Sequence, residues 1–275
     1  MLVKPNLVRH IHLAGGEFQA VVTHASVVRC ILDYLAKALN GAGEILVGDA
    51  PIQSAHFPTL VEKTGLAAVC ENVSSLWGVP VRLLDFRLVA VELDERHCIS
   101  RTEEKQGDPS GYINVDLGQA SLFTPLNDSC EKFRVTSYDC KEMIRHHNRE
   151  HHEYLIPKSV LAADVVINVP KLKTHRKVGL TAALKNLVGI NGHKDWLPHH
   201  RCGSCQEGGD EYLHPSLIKK VQNLLGEALF LRSSSLFAPV LHFAVRCLDK
   251  LASVACRDRF KEGSWYGNDT VWRMV

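Results

Sequence analysis

The feature that most restricts what this chain can fold into is the run at 161–169 (LAADVVINV), halted by Pro170 and followed by Lys171, Lys173 and His175. An unbroken Val/Ile run suits a strand covered on both faces in the middle of a parallel sheet. The strand ends of such sheets are where α/β proteins bind ligands. The run therefore predicts a fold and places a candidate site beside it.

The rest of the chain agrees with an α/β reading. Residues 2–6 (LVKPN) predict a strand entering a loop. Thr23 is the expected cap of a helix whose Val27, Val28, Ile31, Leu32, Leu35 and Leu39 recur at helical spacing, with Gly41 as the stop. Residues 44–47 (EILV) predict a second strand that ends in Gly48-Asp49-Ala50-Pro51. Strand, helix and strand with a polar carboxyl edge make an α/β unit. A helix is expected over 59–75, strands over 79–85, 88–93 and 112–117, and a further helix from Gly179 and Thr181 through Val188. Residues 189–212 are polar and rich in Gly and His, the composition of a long functional loop.

Two helices, 214–231 and 237–255, close the pattern. The second has Leu241, Val245, Leu248 and Leu251 on one side and Arg246, Asp249 and Lys250 within it. It is expected to dock on the body rather than span a membrane or lie on one. The expected architecture is a single α/β domain over 1–275, with a largely parallel sheet flanked by helices in a Rossmann-like three-layer arrangement. Its core occupies 1–190, the polar loop 191–212 and the C-terminal helices 214–256. A strand at the first residue, and a closing GSWYGNDTVWRMV without a terminator, predict that the natural chain extends past one or both ends. Trp272 and Val275 are then expected to be partly exposed.

Composition narrows the class of function. With 45% hydrophobic and 23% charged residues, the chain is an ordinary globular protein rather than a disordered one. Its net charge of +2 argues against a main role in gripping nucleic-acid phosphates, which needs clustered cations. Nine cysteines at irregular spacing do not make a secreted disulfide framework, and no apolar leader opens the chain, so a cytoplasmic setting is expected. Neither a GxGxxG nor a Walker GxxxxGK[ST] pattern occurs.

The strongest chemistry lies in ADVVINVPKLKTHRKVGLTAALKNLVG, 163–189. Lys171, Lys173 and His175 leave the expected strand end, and a helix N-terminus with free N–H groups follows. Thr181 and Lys185 are four apart, so a hydroxyl and an ammonium can share one helix face. His175 can exchange protons near neutral pH. A second group is His193, Lys194, Asp195, His199, His200, Arg201, Cys202, Cys205 and His214. A lone Cys202-x-x-Cys205 is a weak zinc signal that nearby histidines could complete. His193, Lys194, His199, His200 and Arg201 read more readily as ligand contacts on a lid, Arg201 as an anion clamp. A third group is His146, His147, His151 and His152; the spacing of His147 and His151 suits one helix face, but HNREH is not the HExxH order, and a solvated surface helix is expected.

The ordered set Lys4-Pro5-Asn6, Thr23-His24, Gly48-Asp49, Ala163-Asp164, Asn168 to His175, Gly179, Thr181 and Lys185-Asn186 resembles the family called domain of unknown function 362. The resemblance covers 1–190, and NGHKDWLPHHR at 191–201 is similar to one branch of that family. It implies that Lys4, Asn6, His24, Asp49 and Asn186 belong to the site. More distantly, the segment is similar to the N-terminal domain of lactate racemase, which carries a nickel-pincer nucleotide on a Lys ten residues after its catalytic His. His175 and Lys185 are also ten apart, but Thr181-Ala182-Ala183-Leu184 stands where that family has Ser-Gly-Gly.

The leading expectation is an enzyme doing acid–base chemistry on a small anionic molecule at the strand ends. Lys171, Lys173 and Lys185 would hold the anion, His175 would move the proton, and a metal ion or nucleotide-derived cofactor is allowed. The alternative is a non-catalytic metal- or ligand-binding protein using the His/Cys loop at 191–214.

Overall fold

The computed structural model describes residues 1–12, 15–94, 99–135, 140–175, 178–231, 238–255 and 270–274. The chain opens with β1 (Leu2–Pro5), followed by α1 (Ala25–Leu39) and β2 (Ile45–Asp49). The cap of α1 is His24, one residue later than expected: its Nδ1 accepts the Ser26 backbone N–H at 3.2 Å. Thr23 is committed elsewhere, its hydroxyl donating to the Val169 carbonyl at 2.8 Å. The helical stretch expected at 59–75 is divided into α2 (Phe57–Thr64) and α3 (Leu66–Trp77) by Gly65, whose φ of 68° a side-chain-bearing residue rarely adopts.

Next come β3 (Val81–Asp85), β4 (Val89–Leu93), β5 (Ile99–Glu104), β6 (Tyr112–Asp116) and β7 (Phe133–Arg134). Helix α4 (Cys140–His146), β8 (Glu153–Pro157), α5 (Lys158–Leu161) and β9 (Val166–Val169) follow. After them stand β10 (Lys173–His175), β11 (Gly179–Thr181), α6 (Ala183–Asn186), β12 (His200–Arg201), α7 (Leu217–Leu231), α8 (Ala238–Ala255) and α9 (Thr270–Met274).

The fold is mixed α/β around a four-stranded parallel sheet in the order β3-β2-β1-β9. Alternate residues of its strands face opposite ways. Val3, Ile45 and Val47 join Val28, Leu32, Leu60, Leu66 and Val73 of the helices in one buried cluster; Leu2 and Leu46 join Phe86 and Val160 in another. A third apolar cluster, away from this sheet, unites Phe123, Phe133, Met143, Leu197 and Val271.

Four expectations need correction. The sheet is less extensive than predicted: β4 pairs antiparallel with β5, and β6 with β8, outside the parallel sheet. The run at 161–169 begins as α5 and becomes a strand only at Val166, on the sheet's edge with Val166 40% exposed. An apolar run does not by itself distinguish the middle of a sheet from its border. The helix expected from Gly179 through Val188 starts only at Ala183, as α6 continued by a single 3-10 turn over Leu187–Ile190; its first residues form a hairpin instead, with β10 antiparallel to β11 around Gly179 at φ 72°. Finally, His147 and His151 do not share a helix face, because α4 stops at His146 and His147 and His152 turn inward, paired as an antiparallel bridge and buried. Trp272 is 41% exposed as expected, whereas Val275 and Phe237 lie outside the described residues.

Candidate functional site

The carboxyl ends of β1, β2 and β9 bring together residues far apart in sequence. Lys4 lies inward on β1 and is wholly buried. Its Nζ is 2.8 Å from Asp49 Oδ1 at the end of β2, and donates to Asn186 Oδ1 at 3.1 Å and to the Pro5 carbonyl at 2.7 Å. The second Asp49 oxygen accepts the Leu7 backbone N–H at 2.6 Å. Asn186, on α6, donates in turn to the Lys4 carbonyl at 3.0 Å and to Asn168 Oδ1 at 2.7 Å. The main chain at Gly189 runs so close that a Cβ there would lie 1.8 Å from Asp49 Oδ1. Burial pushes the Lys4 amine below its ordinary value, and Asp49 opposes that shift.

Two further lysines crowd this edge. Lys173, on β10, donates to Asn6 Oδ1 at 2.6 Å and to the Val21 carbonyl at 2.8 Å. Burial lowers its pKa to about 8; Asp49 opposes, and Lys171, Arg9 and Lys4 add to the lowering. Lys194 is buried and donates to the Val188 carbonyl at 2.7 Å. Its pKa falls to about 7, again chiefly through burial, with Asp49 opposing and Lys4, Lys185 and Arg87 lowering it further. Amines in this range are partly neutral at physiological pH, so they can accept as well as donate a proton.

A protein-family model matches residues 1–101 and 117–247, a span that contains every residue of this cluster. The chain belongs to the Domain of unknown function (DUF362) family. No curated protein and no solved structure matches it. Among the residues carried over from the DUF362 pattern, Lys4, Asp49 and Asn186 share one bonded set and Lys173 and Asn6 another, and the charges of Asp49 and Lys4 act on Lys173. His24 is exposed and serves as the α1 cap. Thr181 is buried at the end of β11, and its hydroxyl donates to the Lys173 carbonyl at 3.1 Å, bracing the hairpin. His175 lies on the same face of β10 as Lys173, two residues on, and its Nδ1 receives the Val178 N–H at 3.4 Å. Lys171 and Lys185 are half-buried, and both act on the buried lysines through their charge.

The segment 191–212 is not the structureless loop that its composition suggests. Asn191, Lys194, Trp196, Leu197, His200, Ser204, Asp210 and Tyr212 are buried. β12 pairs antiparallel with β7, and the Cys202 N–H donates to the Lys132 carbonyl at 2.7 Å. His193 Nδ1 lies 3.5 Å from Asp195, which also accepts from Gln53 Nε2 at 3.4 Å. His199 Nδ1 meets the Leu197 carbonyl at 2.8 Å, and His200 Nε2 is 3.1 Å from Glu211. Arg201 is half-buried beside Asp210, which also accepts the Arg201 backbone N–H at 2.5 Å.

Cys202 and Cys205 are in no disulfide, and burial first, then Glu211, pushes the Cys202 thiol up to about 11. Among the described residues, the grouping whose donor atoms all lie within 4.8 Å of one another is Asp116, His151 and Glu153, near the surface; neither cysteine belongs to it. Sequence reasoning also missed Arg87. This buried guanidinium forks onto Asp85 and donates to the carbonyls of Ile52, Gln53 and Ala55, fixing the loop after β2. Asp85-Phe86-Arg87 directly after a strand was the available signal.

Proposed function

We propose that this chain binds a small anionic molecule at the carboxyl ends of β1, β2 and β9 and moves a proton on it. The observation that carries the reading is a local surplus of positive charge. Lys4, Lys173 and Lys194 all feel the attraction of the same carboxylate, Asp49, with Lys171 and Lys185 close enough to depress their neighbours. A ligand carboxylate or phosphate would offset that surplus. Lys171 and Lys185 supply the outer cations, Lys173 or Lys194 a buried amine near its transition, and His175 the proton carrier. The segment 191–212 is the wall of the site rather than its lid.

Apolar clusters containing alternate residues of the strands support reading the parallel sheet as the centre of a Rossmann-like three-layer domain. The free thiols fit a reducing, cytoplasmic setting. A nickel-pincer nucleotide does not fit the residues before Lys185. Ala182, Ala183 and Leu184 carry side chains where the racemase pattern has glycine, so no step runs through that group.

The test is calorimetric titration with short-chain carboxylates and phosphate monoesters, followed by NMR of deuterium wash-in from D2O for any member that binds. Lys185→Ala should weaken binding by roughly tenfold or more, the loss of one charge-assisted contact. His175→Ala should bind and lose wash-in, and Lys185→Arg should retain part of the binding. The reading is wrong if no member binds, or if both alanine variants bind and exchange like the parent.

A further inference from the structure

The hairpin of α7 and α8 turns two apolar stripes to the outside. On α7, Leu217, Val221 and Leu224 are 80%, 45% and 66% exposed. On α8, Val240, Phe243, Leu251 and Val254 are 66%, 70%, 51% and 85% exposed, and Cys247 in the same row is exposed as well. Separations of three and four residues keep each set on one helix face. Other positions of α7 hold the hairpin to the body. Lys219 Nζ lies 4.8 Å over the Tyr212 ring, Asn223 reaches Cys202 Sγ at 3.4 Å, and Arg134 Nε meets Glu227 at 2.5 Å. Helix α8 packs on α7. The expectation of a helix docked on the body through its apolar side is therefore half met: the Leu241, Val245 and Leu248 side is half-buried, whereas a second, exposed apolar row remains.

The charges bordering that row select its occupant. Arg246 and Lys250 are exposed on one flank of it, whereas Lys220 on α7 is paired with Glu207. The hairpin's Glu227 is engaged by Arg134, and the helical position of Asp249 is about 200° round from Cys247. A second copy crossing the row antiparallel about a two-fold axis would bring Arg246 and Lys250 toward the same cations of its partner, an unfavourable match. No described helix is long and apolar enough to cross a membrane. An apolar row edged by cations is the arrangement that rests in the interface of an anionic bilayer.

We propose that the outer face of the α7–α8 hairpin lies on an anionic lipid bilayer. Phe243, Val254 and their row enter the boundary between headgroups and acyl chains, and Arg246 and Lys250 sit among the lipid phosphates. This inference does not depend on the strand-end ligand. The test is co-sedimentation of the whole chain with vesicles of phosphatidylcholine, alone and mixed with phosphatidylglycerol, alongside sedimentation velocity without lipid. The parent should sediment with the mixed vesicles, less so at high salt. Phe243→Ser with Val254→Ser should reduce that binding by about tenfold or more, and Arg246→Gln with Lys250→Gln on the order of tenfold. All four positions are exposed, so both variants should melt like the parent. Absence of binding to either vesicle overturns the proposal, as does binding that the apolar variant leaves unchanged. A lipid-free dimer that the apolar variant dissociates also overturns it, because a second copy is then the occupant.

Discussion

Replacing Gly189 by alanine is the sharpest probe of the buried network at the strand ends. The added Cβ would stand 1.8 Å from Asp49 Oδ1 and 2.6 Å from both Nζ and Cε of Lys4. Neither side chain has somewhere to go. Asp49 is held by the Leu7 N–H and Lys4 by Asn186 and Pro5, and both are buried. Ordinary contact requires the carboxylate to retreat by about 1.5 Å, which breaks the 2.8 Å ion pair. Separating a buried pair costs about 3–5 kcal/mol, because each charge loses its partner without regaining water. For a chain of this size that corresponds to a melting temperature lower by roughly 10 °C. Gly226→Ala is the control: nothing lies within 4 Å of a Cβ there, and α7 should gain up to about 1 kcal/mol of helix propensity. The assay is thermal unfolding followed by circular dichroism, with urea midpoints as a second measure. If Gly189→Ala melts within about 2 °C of the parent, the network is slack and the reasoning fails.

Acid should destabilise the region around His147. Burial, followed by its neighbours His152 and His146, lowers the imidazole from 6.5 to about 3, with the Trp196 backbone and then Asp116 opposing. Between those values the unfolded chain takes up a proton that the folded chain refuses, so stability falls as pH drops below 6.5, by about 2 kcal/mol at pH 5. Urea midpoints between pH 7.5 and pH 5 should show the decline, and His147→Phe should flatten it; an equal slope in both proteins refutes the assignment. Cys202→Ser with Cys205→Ser should leave metal content and melting temperature unchanged, and a stoichiometric zinc lost only in that variant would restore the metal-binding alternative. Amides of His199, Cys202 and Asp210, bonded to the carbonyls of Arg134, Lys132 and Arg201, should exchange slowly without added ligand. Fast exchange there would make the segment a lid after all.

Part of the strand-end cluster was legible because polar side chains directly after apolar strands have few other places to go. Lys173 was marked that way, whereas Lys4, Asn6, Asp49 and Asn186 were marked through the resemblance to the DUF362 family. Lys194 was marked as a contact, but its burial was not legible: 191–201 reads as polar loop, whereas Lys194 is buried with its amine on the Val188 carbonyl and within the influence of Asp49 and Lys4, residues distant in sequence that local periodicity does not bring together. The antiparallel pairings of β4 with β5 and of β6 with β8 were hidden for the same reason. The β10–β11 hairpin was missed because Gly179 suits a helix start and a tight turn equally well. His147 and His152 looked solvated because charge-capable side chains usually are; the apolar ring neighbours that enclose them, Phe123 and Tyr154, come from other elements.

The bond between Lys4 and Asn186 joins residues 182 positions apart, and it has a temporal consequence. Synthesis proceeds from the N-terminus, so Lys4 emerges early while Asn186 and the neighbouring strand β9 emerge much later. Through that interval β1 can pair with β2, but its other edge and its buried ammonium wait for partners not yet made. On the proposed reading, ligand recognition at the strand ends is then a property the nascent chain acquires abruptly, once α6 has cleared the ribosome. An arrested chain stopped before that point would carry Lys4 and Asp49 without the Asn186 contact that completes their set.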